Sequence, residues 1–486
     1  MRVAMVSFEV FPFAKVGGLA DVVGSLPPFL QREGVEVEIF MPYHRIVDQN
    51  ASKYGYTVEK VLDDFEVPFV QTPERASLYR STLPGSTVPV YLVKNDHYFS
   101  TEKVYGFEPE GEQSIFFTVA ALQAMQCLGK PFDIIHANDW QTGLIPVYLK
   151  SRLRDEPFFQ DSATLFTIHN LGYQGRFSSI FMNFAGLPHY LFNVDALEFY
   201  GEVNFLKGGI LFADVVTTVS PKYAEEIQTQ DYGEKLEGVL SIRSDSLTGI
   251  LNGIDNELYD PARTTIARFP FSAHDLEGKA KNKQALQQEC GLPLRPQVPL
   301  VGLVSRLVEQ KGLDIFSHIA RYFFMHEVQM VVLGTGQPEY EGLMRQLSNE
   351  YPQKLCARIT FDIDLANLIY AGADMFLMPS NYEPCGLGQM FSLRFGTIPV
   401  VHYTGGLADT VTEFNPQNPI GNGFGFHHYG DADLLLSLSK ALYFFHKKEQ
   451  WDRIIQNAMS ANFSWGRSAK GYKENYQKAL TSRRTA

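Results

Sequence analysis

Short apolar runs alternate with helix-like segments over most of the 486-residue sequence. In the N-terminal half, the runs that predict buried strands cover residues 3–7, 35–40, 88–93, 134–137, 164–168 and 215–219. In the C-terminal half, they cover residues 300–304, 328–333, 375–378 and 398–401. Uninterrupted apolar strands separated by helices are typical of parallel sheets that helices cover on both faces. The pattern therefore predicts an α/β protein.

The alternation is interrupted near the middle of the chain. Between residues 252 and 299 the pattern weakens and prolines and charged residues accumulate, which predicts a crossover between domains. We therefore expect an N-terminal domain over 1–255, a C-terminal domain over 256–464, and a final helix over 465–486 that packs back on the N-terminal domain. Within the first predicted helix, Pro27 and Pro28 are expected to cause a kink or an early break.

Composition and charge limit the classes of partner. A hydrophobic content of 45% and a charged content of 20% are those of a soluble globular protein, and no apolar run reaches membrane-spanning length. The formal net charge of −12 argues against nucleic acid or an anionic membrane as a partner, but it is compatible with a large neutral polysaccharide. The four cysteines show no disulfide or zinc spacing, and the N-terminus shows no cleavable signal pattern. These features predict a cytoplasmic protein.

The pentapeptide Gly-Gly-Leu-Ala-Asp occurs twice, at residues 17–21 and 405–409. Each copy follows a short apolar run and leads into helix-like sequence. Backbone N–H groups and the positive end of a helix should therefore lie at the carboxyl edge of a strand, which is a geometry that binds anions. The two copies predict two nucleotide-binding-like halves that face one ligand.

Charged and polar side chains follow several predicted strands. Arg306 and Lys311 lie in one such loop, where a guanidinium and an ammonium suit a diphosphate, although a solvated surface loop is the alternative. Glu383 lies where a carboxylate can accept sugar hydroxyls, and the alternative is an interaction with a helix N-terminus. The segments 136–140 and 167–170 each end a strand at the edge where parallel sheets bind ligands. A lone buried histidine in such a segment is more often structural.

Two further motifs favour structural roles. Gly334-Thr335-Gly336 lacks the third glycine of a dinucleotide fingerprint, so the sequence gives little support to a hydride-transfer cofactor. Asp362 and Asp364 have the spacing with which some sugar-nucleotide transferases hold a divalent metal, but they also suit the start of the helix that follows. We therefore expect no metal and no cofactor.

Taken together, these motifs resemble those of bacterial glycogen synthases and plant starch synthases. The resemblance covers essentially the whole chain and rests on motifs in family order: Lys-Val-Gly-Gly-Leu-Ala-Asp at 15–21, His-Ala-Asn-Asp-Trp at 136–140, Ile-His-Asn at 168–170, Tyr-Gln-Gly at 173–175, Thr-Thr-Val-Ser-Pro at 217–221, Leu-Asn-Gly-Ile-Asp at 251–255, and the segments 305–312, 379–387 and 404–409. Asn381 departs from the family's usual arginine, and Val16 from its usual Thr or Ser. The resemblance implies a retaining glycosyltransferase of the GT-B fold, with two Rossmann-like doubly wound domains facing a central cleft.

The resemblance also implies a role for each candidate site residue. Those that it places at the diphosphate of the donor are Lys15, Gly17, Gly18, Arg306, Lys311, Thr404, Gly405 and Gly406. Those that it places around the transferred glucose are Asp139, His169, Asn252 and Glu383. It places Phe361 against the adenine, and it adds Asp21, Cys385, Gly386 and Leu387 to the substrate-binding set. The implied catalytic residues are Glu383, Arg306, Lys311, His169 and Asp139.

The reaction that the resemblance implies is glucose transfer from ADP-glucose to the non-reducing 4-hydroxyl of an α-1,4-glucan, with retention and without metal. The acceptor would be glycogen or a maltooligosaccharide primer. One alternative is a GT-B transferase that uses UDP-glucose or another acceptor, such as sucrose phosphate or a lipid. The other is a non-catalytic glucan-binding protein of the same fold, against which the presence of Arg306, Lys311 and Glu383 argues.

Overall fold

The apolar runs form the buried strands of parallel sheets. The computed structural model describes residues 1–68, 73–101, 103–106, 109–264, 266–417 and 419–485. Over these residues the chain divides into two units, unit 1 (Met1–Gly253 and Trp465–Ala486) and unit 2 (Ile254–Ser464). Each unit is built around a sheet of its own.

Unit 1 begins with a strand and carries most of the strands of the chain. Its strands are β1 (Arg2–Val6), β2 (Glu36–Pro42), β3 (Glu59–Val67), β4 (Glu74–Thr82), β5 (Pro89–Lys94), β6 (Ile134–Asn138), β7 (Ala163–Ile168), β8 (Arg176–Ser178), β9 (Glu198–Phe199), β10 (Glu202–Asn204), β11 (Val215–Thr218) and β12 (Leu247–Gly249). Its helices before the crossover are α1 (Gly18–Arg32), α2 (Ile46–Tyr54), α3 (Asp96–Phe99), α4 (Glu110–Leu128), α5 (Leu144–Lys150), α6 (Phe181–Phe184), α7 (Phe205–Phe212), α8 (Pro221–Glu226) and α9 (Glu237–Ile242).

The main sheet of unit 1 has the strand order β12-β11-β7-β6-β1-β2-β5-β4-β3. The strands from β12 to β5 are parallel, and Val3 of β1 pairs with Val37 of β2 on one side and Ile134 of β6 on the other. The last two strands, β4 and β3, join antiparallel at one edge. They lie outside the predicted set, because β3 exposes most of its side chains and has no continuous apolar run.

Unit 2 is a second, wholly parallel sheet with helices between its strands. Its strands are β13 (Leu300–Val304), β14 (Gln329–Leu333), β15 (Leu355–Arg358), β16 (Met375–Met378), β17 (Ile398–His402) and β18 (Phe424–Phe426), in the order β15-β14-β13-β16-β17-β18. Its helices are α10 (Glu277–Glu289), α11 (Leu313–Phe323), α12 (Pro338–Glu350), α13 (Ile363–Gly372), α14 (Gly388–Arg394), α15 (Gly405–Thr410), α16 (Asp431–Phe445) and α17 (Lys448–Ser460). In the part of the chain that the structure describes, the helices lack the length and apolarity needed to cross a membrane.

The last helix, α18 (Trp465–Thr485), belongs to unit 1, where it packs against α1 and β7. Its Tyr472 and Tyr476 are fully buried. The hydroxyl of Tyr476 shares a hydrogen bond of 2.9 Å with Nδ1 of His136, whose Nε2 lies 2.7 Å from the Thr167 hydroxyl. Burial lowers the pKa of His136 to about 3, so this imidazole is neutral and serves the packing of α18.

The expected early break of the first helix is wrong, whereas the alternative, a kink at the prolines, stays a prediction. Helix α1 continues through Pro27 and Pro28 as far as Arg32. A proline inside a helix removes a hydrogen bond and costs about 3 kcal/mol. Here the side chains of Leu26, Pro27 and Leu30 are buried, and α1 packs against α18, so burial of this apolar face offsets that cost.

Replacement of Tyr476 tests how α18 stabilises unit 1. Tyr476→Phe leaves Nδ1 of His136 without its partner and should cost about 1–3 kcal/mol of unfolding free energy. Tyr476→Ala also opens a cavity and should cost roughly 3–5 kcal/mol. Thermal and urea unfolding measure both.

The matched control is Tyr443→Ala, which removes a tyrosine that is 59% exposed on α16 and should change stability by less than about 0.5 kcal/mol. Equal effects at the two positions would contradict this account.

Candidate active site

Three loops of unit 2 follow the neighbouring strands β13, β16 and β17. They are the basic loop (305–312), the Glu383 loop (379–387) and the glycine loop (404–406). A Cβ atom on Gly312 would lie 2.0 Å from the backbone oxygen of Pro379, and one on Gly406 would lie 2.0 Å from that of Cys385. Gly312 also has a φ of 77°, which an L side chain rarely adopts. Glycine at these positions therefore allows the three loops to touch backbone to backbone at one edge of the sheet.

Contact between the loops brings Lys311 and Glu383 together. Nζ of Lys311 lies 2.6 Å from Oε2 of Glu383, and the hydroxyl of Ser380 donates to the same oxygen at 3.1 Å. The two charged side chains are only 17% and 10% exposed. Because a buried charge is costly without a partner, each holds the other in place. Within the described part of the chain, the guanidinium of the exposed Arg306 makes one long hydrogen bond, of 3.4 Å to Gln310, so it can turn towards a ligand.

The remainder of the Glu383 loop is held by Gln389, a residue that the sequence analysis missed. Its Nε2 donates to the backbone oxygens of Cys385 at 3.0 Å and Gly386 at 3.2 Å. Gly386 has a φ of 69°, and Leu387 immediately precedes α14. Cys385 is buried. The loop is therefore fixed from beneath by an amide whose position in the first turn of α14 gives no sequence signal of its own.

The glycine loop contributes to packing as well as to the sheet edge. Gly405 has a φ of 45°, and a Cβ there would lie 2.0 Å from the backbone oxygen of Glu383. The amide of Gly406 donates to the backbone oxygens of Glu383 and Pro384, both at 3.2 Å. The Gly406 amide is thus engaged inside the protein. Backbone contact between Thr404, Gly405 or Gly406 and a diphosphate stays a prediction.

The segment 334–336 has a structural role of the same kind. A Cβ on Gly334 would lie 1.8 Å from the backbone oxygen of Ser305, and one on Gly336 would lie 2.1 Å from that of Leu307. The amide of Leu307 donates to the backbone oxygen of Thr335 at 2.9 Å. These two glycines let the loop after β14 support the basic loop.

Phe361 and Asp362 follow the end of β15. They therefore lie at the same end of the parallel strands as the three loops above. The ring of Phe361 is 80% exposed, and its stacking on an adenine stays a prediction. Oδ1 of Asp362 accepts the amide of Leu365 at 2.9 Å and so caps α13, as the structural alternative predicted. Among the described residues, no group of three or more His, Cys, Asp or Glu side chains is placed to hold a metal ion.

In unit 1, the candidate residues also follow strands of one sheet. Residues 15–18, here called the Lys15 loop, lie after β1, Asp139 after β6, His169 after β7 and Asn252 after β12. Asn252 is buried, and its Oδ1 has no hydrogen-bond partner in the described part of the chain. A buried amide oxygen without a partner costs free energy, which a bound hydroxyl group would recover.

Asp139 and His169 are held together at this edge. Oδ1 of Asp139 accepts the amide of His169 at 2.6 Å, and Nε2 of His169 lies 2.9 Å from Oδ1 of Asn138. Burial raises the pKa of Asp139 to about 7, against the lowering effect of the amides of His169 and Asn170. Burial lowers the pKa of His169 to about 3. Asp139 also has a φ of 56°, a strained value that is common at functional sites.

The Lys15 loop is held by a second ion pair, to Asp21, and by the carboxylate of Glu9, which the sequence analysis missed. Nζ of Lys15 lies 2.7 Å from Oδ1 of Asp21, whose pKa is raised by burial. Glu9 is buried and accepts the amides of Val16 and Gly17, the latter at 2.9 Å. Gly18 is exposed, and a Cβ there would meet nothing within 4 Å. The loop is thus organised by Glu9 rather than by close packing.

Comparison with known proteins agrees with this architecture. Residues 2–242 match the family described as starch synthase catalytic domain, and residues 290–460 match glycosyl transferases group 1. The chain is 55% identical over 481 residues to a glycogen synthase of Pseudothermotoga lettingae and 56% identical over 481 residues to one of Thermotoga maritima. Each alignment covers 99% of both proteins. The family that the sequence motifs indicated is therefore confirmed.

Among solved structures, the chain resembles the catalytic domain of starch synthase IV from Arabidopsis thaliana, which was solved with ADP and acarbose bound. The TM-score is 0.90 at 32% identity, and the match covers 99% of each chain. A sucrose-phosphate synthase from Thermosynechococcus elongatus, at 18% identity and a TM-score of 0.60, shares the fold alone. The predicted α/β fold of the GT-B class is confirmed.

The two copies of the Gly-Gly-Leu-Ala-Asp motif should respond differently to the same substitution. Gly406→Ala forces a Cβ against the backbone of Cys385 and should cost about 1–3 kcal/mol, as overpacking does. Gly18→Ala, in the same position of the other copy, meets open space at the start of α1 and should be neutral or stabilising by up to about 1 kcal/mol. Thermal unfolding of the two variants measures this difference in stability. Equal melting temperatures would show that the glycine loop relaxes without cost.

Proposed function

The chain belongs to the family of bacterial glycogen synthases and plant starch synthases, and from that premise we propose that it transfers glucose from ADP-glucose to an α-1,4-glucan. The acceptor group is the non-reducing 4-hydroxyl of glycogen or of a maltooligosaccharide, and the configuration at the sugar is retained. The observation that carries the proposal is the Lys311–Glu383 pair, with the exposed Arg306 in the same basic loop. Two cations and one carboxylate on fixed loops suit a donor that joins a diphosphate to a sugar.

The choice of substrates is supported by the relatives. The glycogen synthases match the chain over nearly its full length, which favours a glucan acceptor. The Arabidopsis starch synthase was solved with ADP and with acarbose, which favours an adenine nucleotide as the leaving group. A UDP-glucose donor is the alternative, and the sucrose-phosphate synthase supports no substrate because it shares the fold alone.

Stabilisation of the leaving group is the step to which unit 2 is best suited. As the bond between sugar and phosphate breaks, negative charge develops on the diphosphate. Arg306 and Lys311 neutralise this charge, while Glu383 balances the positive charge that develops on the sugar. Because Lys311 is already bonded to Glu383, its ammonium can bridge that carboxylate and the diphosphate without a large rearrangement. We propose a front-face ion pair, in which the departing phosphate accepts the proton of the acceptor hydroxyl.

The residues of unit 1 are suited to recognition of sugar hydroxyls. The imidazole of His169 is neutral, and its Nε2 donates to Oδ1 of Asn138, so Nδ1 is the ring atom that can accept a hydroxyl of the sugar. Asp139 is held by backbone amides, and its pKa of about 7 leaves it partly protonated near neutral pH. Asn252 offers a buried amide oxygen. We propose that these three side chains bind the hydroxyls of the transferred glucose.

The experiment that tests the proposal is incorporation of labelled glucose into glycogen. ADP-glucose and UDP-glucose are supplied in parallel, each with and without glycogen. We expect transfer that depends on glycogen and is fastest with ADP-glucose. Faster transfer from UDP-glucose would favour the alternative donor, and the absence of transfer from either donor would favour the non-catalytic glucan-binding protein.

Loss of either cation should slow turnover. Arg306→Ala and Lys311→Ala should each lower kcat by roughly 10²–10³, the effect of removing one preorganised charge contact. Their stabilities should differ, because Lys311→Ala leaves the carboxylate of Glu383 largely buried and unpaired, at a cost of about 3–5 kcal/mol. Steady-state kinetics and thermal unfolding measure the two effects.

Arg321→Ala, a change at an exposed arginine of α11, is the control and should leave kcat unchanged. Near-normal turnover in both site variants would refute the diphosphate assignment.

Substitutions at Glu383 and Cys385 should distinguish the contribution of charge to turnover from that of packing within the Glu383 loop. Glu383→Gln keeps the size of the side chain but removes the charge, so kcat should fall by at least about 10². Cys385→Ser keeps a small polar group at a buried position and should retain most of the activity. Kinetics at saturating ADP-glucose measure both. An inactive serine variant beside an active glutamine variant would reverse the roles assigned within this loop.

A further inference from the structure

Glu9 lies beneath the first glycine pair, three residues after the end of β1. Only 3% of it is exposed. Its Oε2 accepts the amides of Val16 and Gly17, and its Oε1 accepts the hydroxyl of Tyr105. Burial raises the pKa of this carboxyl, and the three hydrogen bonds lower it. Both oxygens of the carboxylate therefore accept hydrogen bonds, one from the amides of the Lys15 loop and the other from the hydroxyl of Tyr105.

Two of the backbone donors of this loop, the amides of Val16 and Gly17, thus already bind an anion of the chain itself. The ammonium of Lys15, which belongs to the same loop, bonds to Asp21 at 2.7 Å. The loop leads directly into α1, and Gly17, whose amide Glu9 accepts, is the N-cap residue of that helix. A phosphate that took the place of Glu9 would leave a buried carboxylate without donors, which is a strongly unfavourable state.

We propose that Glu9 is a positioning residue that acts as a permanent internal anion for the Lys15 loop. It keeps the amides of Val16 and Gly17 away from the diphosphate and sets the loop so that the side chain of Lys15 meets the phosphate instead. This inference rests on the proposed function, because it assumes a nucleotide-diphosphate sugar as the ligand. Under this proposal, the Lys15 loop meets the diphosphate through the side chain of Lys15 and not through the amide of Gly17.

Glutamine at this position separates the hydrogen bonds from the charge. In Glu9→Gln, the amide oxygen can accept both loop amides, while the amide nitrogen donates to the oxygen of Tyr105. The geometry of the loop is kept and the negative charge is lost. Glu9→Ala removes both. A positioning role needs the hydrogen bonds, whereas a displaced anion or a reacting carboxylate needs the charge.

The test measures the dissociation constant of ADP by calorimetry, and KM and kcat with ADP-glucose and glycogen, in the full-length enzyme. We expect Glu9→Gln to keep all three values within about threefold of the wild type, which is the rescue that hydrogen bonding alone predicts. We expect Glu9→Ala to bind ADP more weakly and to raise KM at least about tenfold, with a smaller change in kcat. Glu36→Gln, a change at an exposed carboxylate of β2, is the matched control and should match the wild type.

Three results would overturn the proposal. ADP binding that becomes at least about tenfold tighter in Glu9→Gln would show that the diphosphate competes with Glu9 for the loop amides. A fall in kcat of about 10² in the same variant would show that the charge itself takes part in the reaction. A Glu9→Ala enzyme with unchanged KM would show that the loop does not need Glu9. If Glu9→Ala does not fold, the glutamine variant alone decides between these models.

This test can fail independently of the proposed function. A wild-type enzyme that neither binds ADP nor transfers glucose contradicts the proposed function. A wild-type enzyme that does both, beside a glutamine variant outside the expected range, contradicts only the role of Glu9.

Discussion

Direct contact between backbones at glycine positions is the constraint on which the candidate site of unit 2 depends. Gly312 and Gly406 leave no room for a Cβ, since backbone oxygens of the Glu383 loop lie 2.0 Å from where it would stand. Without that approach, Lys311 and Glu383 would sit on independent loops, and each would lose conformational freedom on meeting the other. With it, their charged atoms are held 2.6 Å apart before any ligand arrives. Electrostatic stabilisation of a transition state requires such prior fixation.

The repeated pentapeptide shows that one motif can use glycine for two physical reasons. In the glycine loop, Gly405 and Gly406 are needed because neighbouring backbone occupies the space of a side chain. At Gly18, that space is open, and the loop is organised instead by the buried carboxylate of Glu9. The two copies therefore occupy similar positions in the fold, between a strand and a helix. The contacts that their glycines make are different.

The sequence predicted best those elements whose hydrophobic pattern is complete. Strands β7 and β13 are buried along almost their whole length and were predicted to within one residue, whereas β3 exposes most of its side chains and was missed. The candidate site was predicted where residues directly follow a strand, as Asp139 and Arg306 do. Glu9 and Gln389 were missed because their partners depend on the path of the chain around each loop, which neither spacing nor residue type encodes.

The distribution of charge between the units explains how an acidic protein is suited to an anionic donor. The candidate edge of unit 1 carries Glu9, Asp21 and Asp139, and burial raises the pKa of all three. That of unit 2 carries Arg306 and Lys311, of which Lys311 bonds to Glu383 and Arg306 is exposed, with Glu309 between them in the loop. Coulombic interactions fall with distance and with screening, so a net charge of −12 spread over the protein matters less to a bound diphosphate than two cations five residues apart in one loop. Under the proposed function, neutralisation of the leaving group therefore rests mainly on the basic loop, and the cation that the edge of unit 1 offers is Lys15, which Asp21 already bonds.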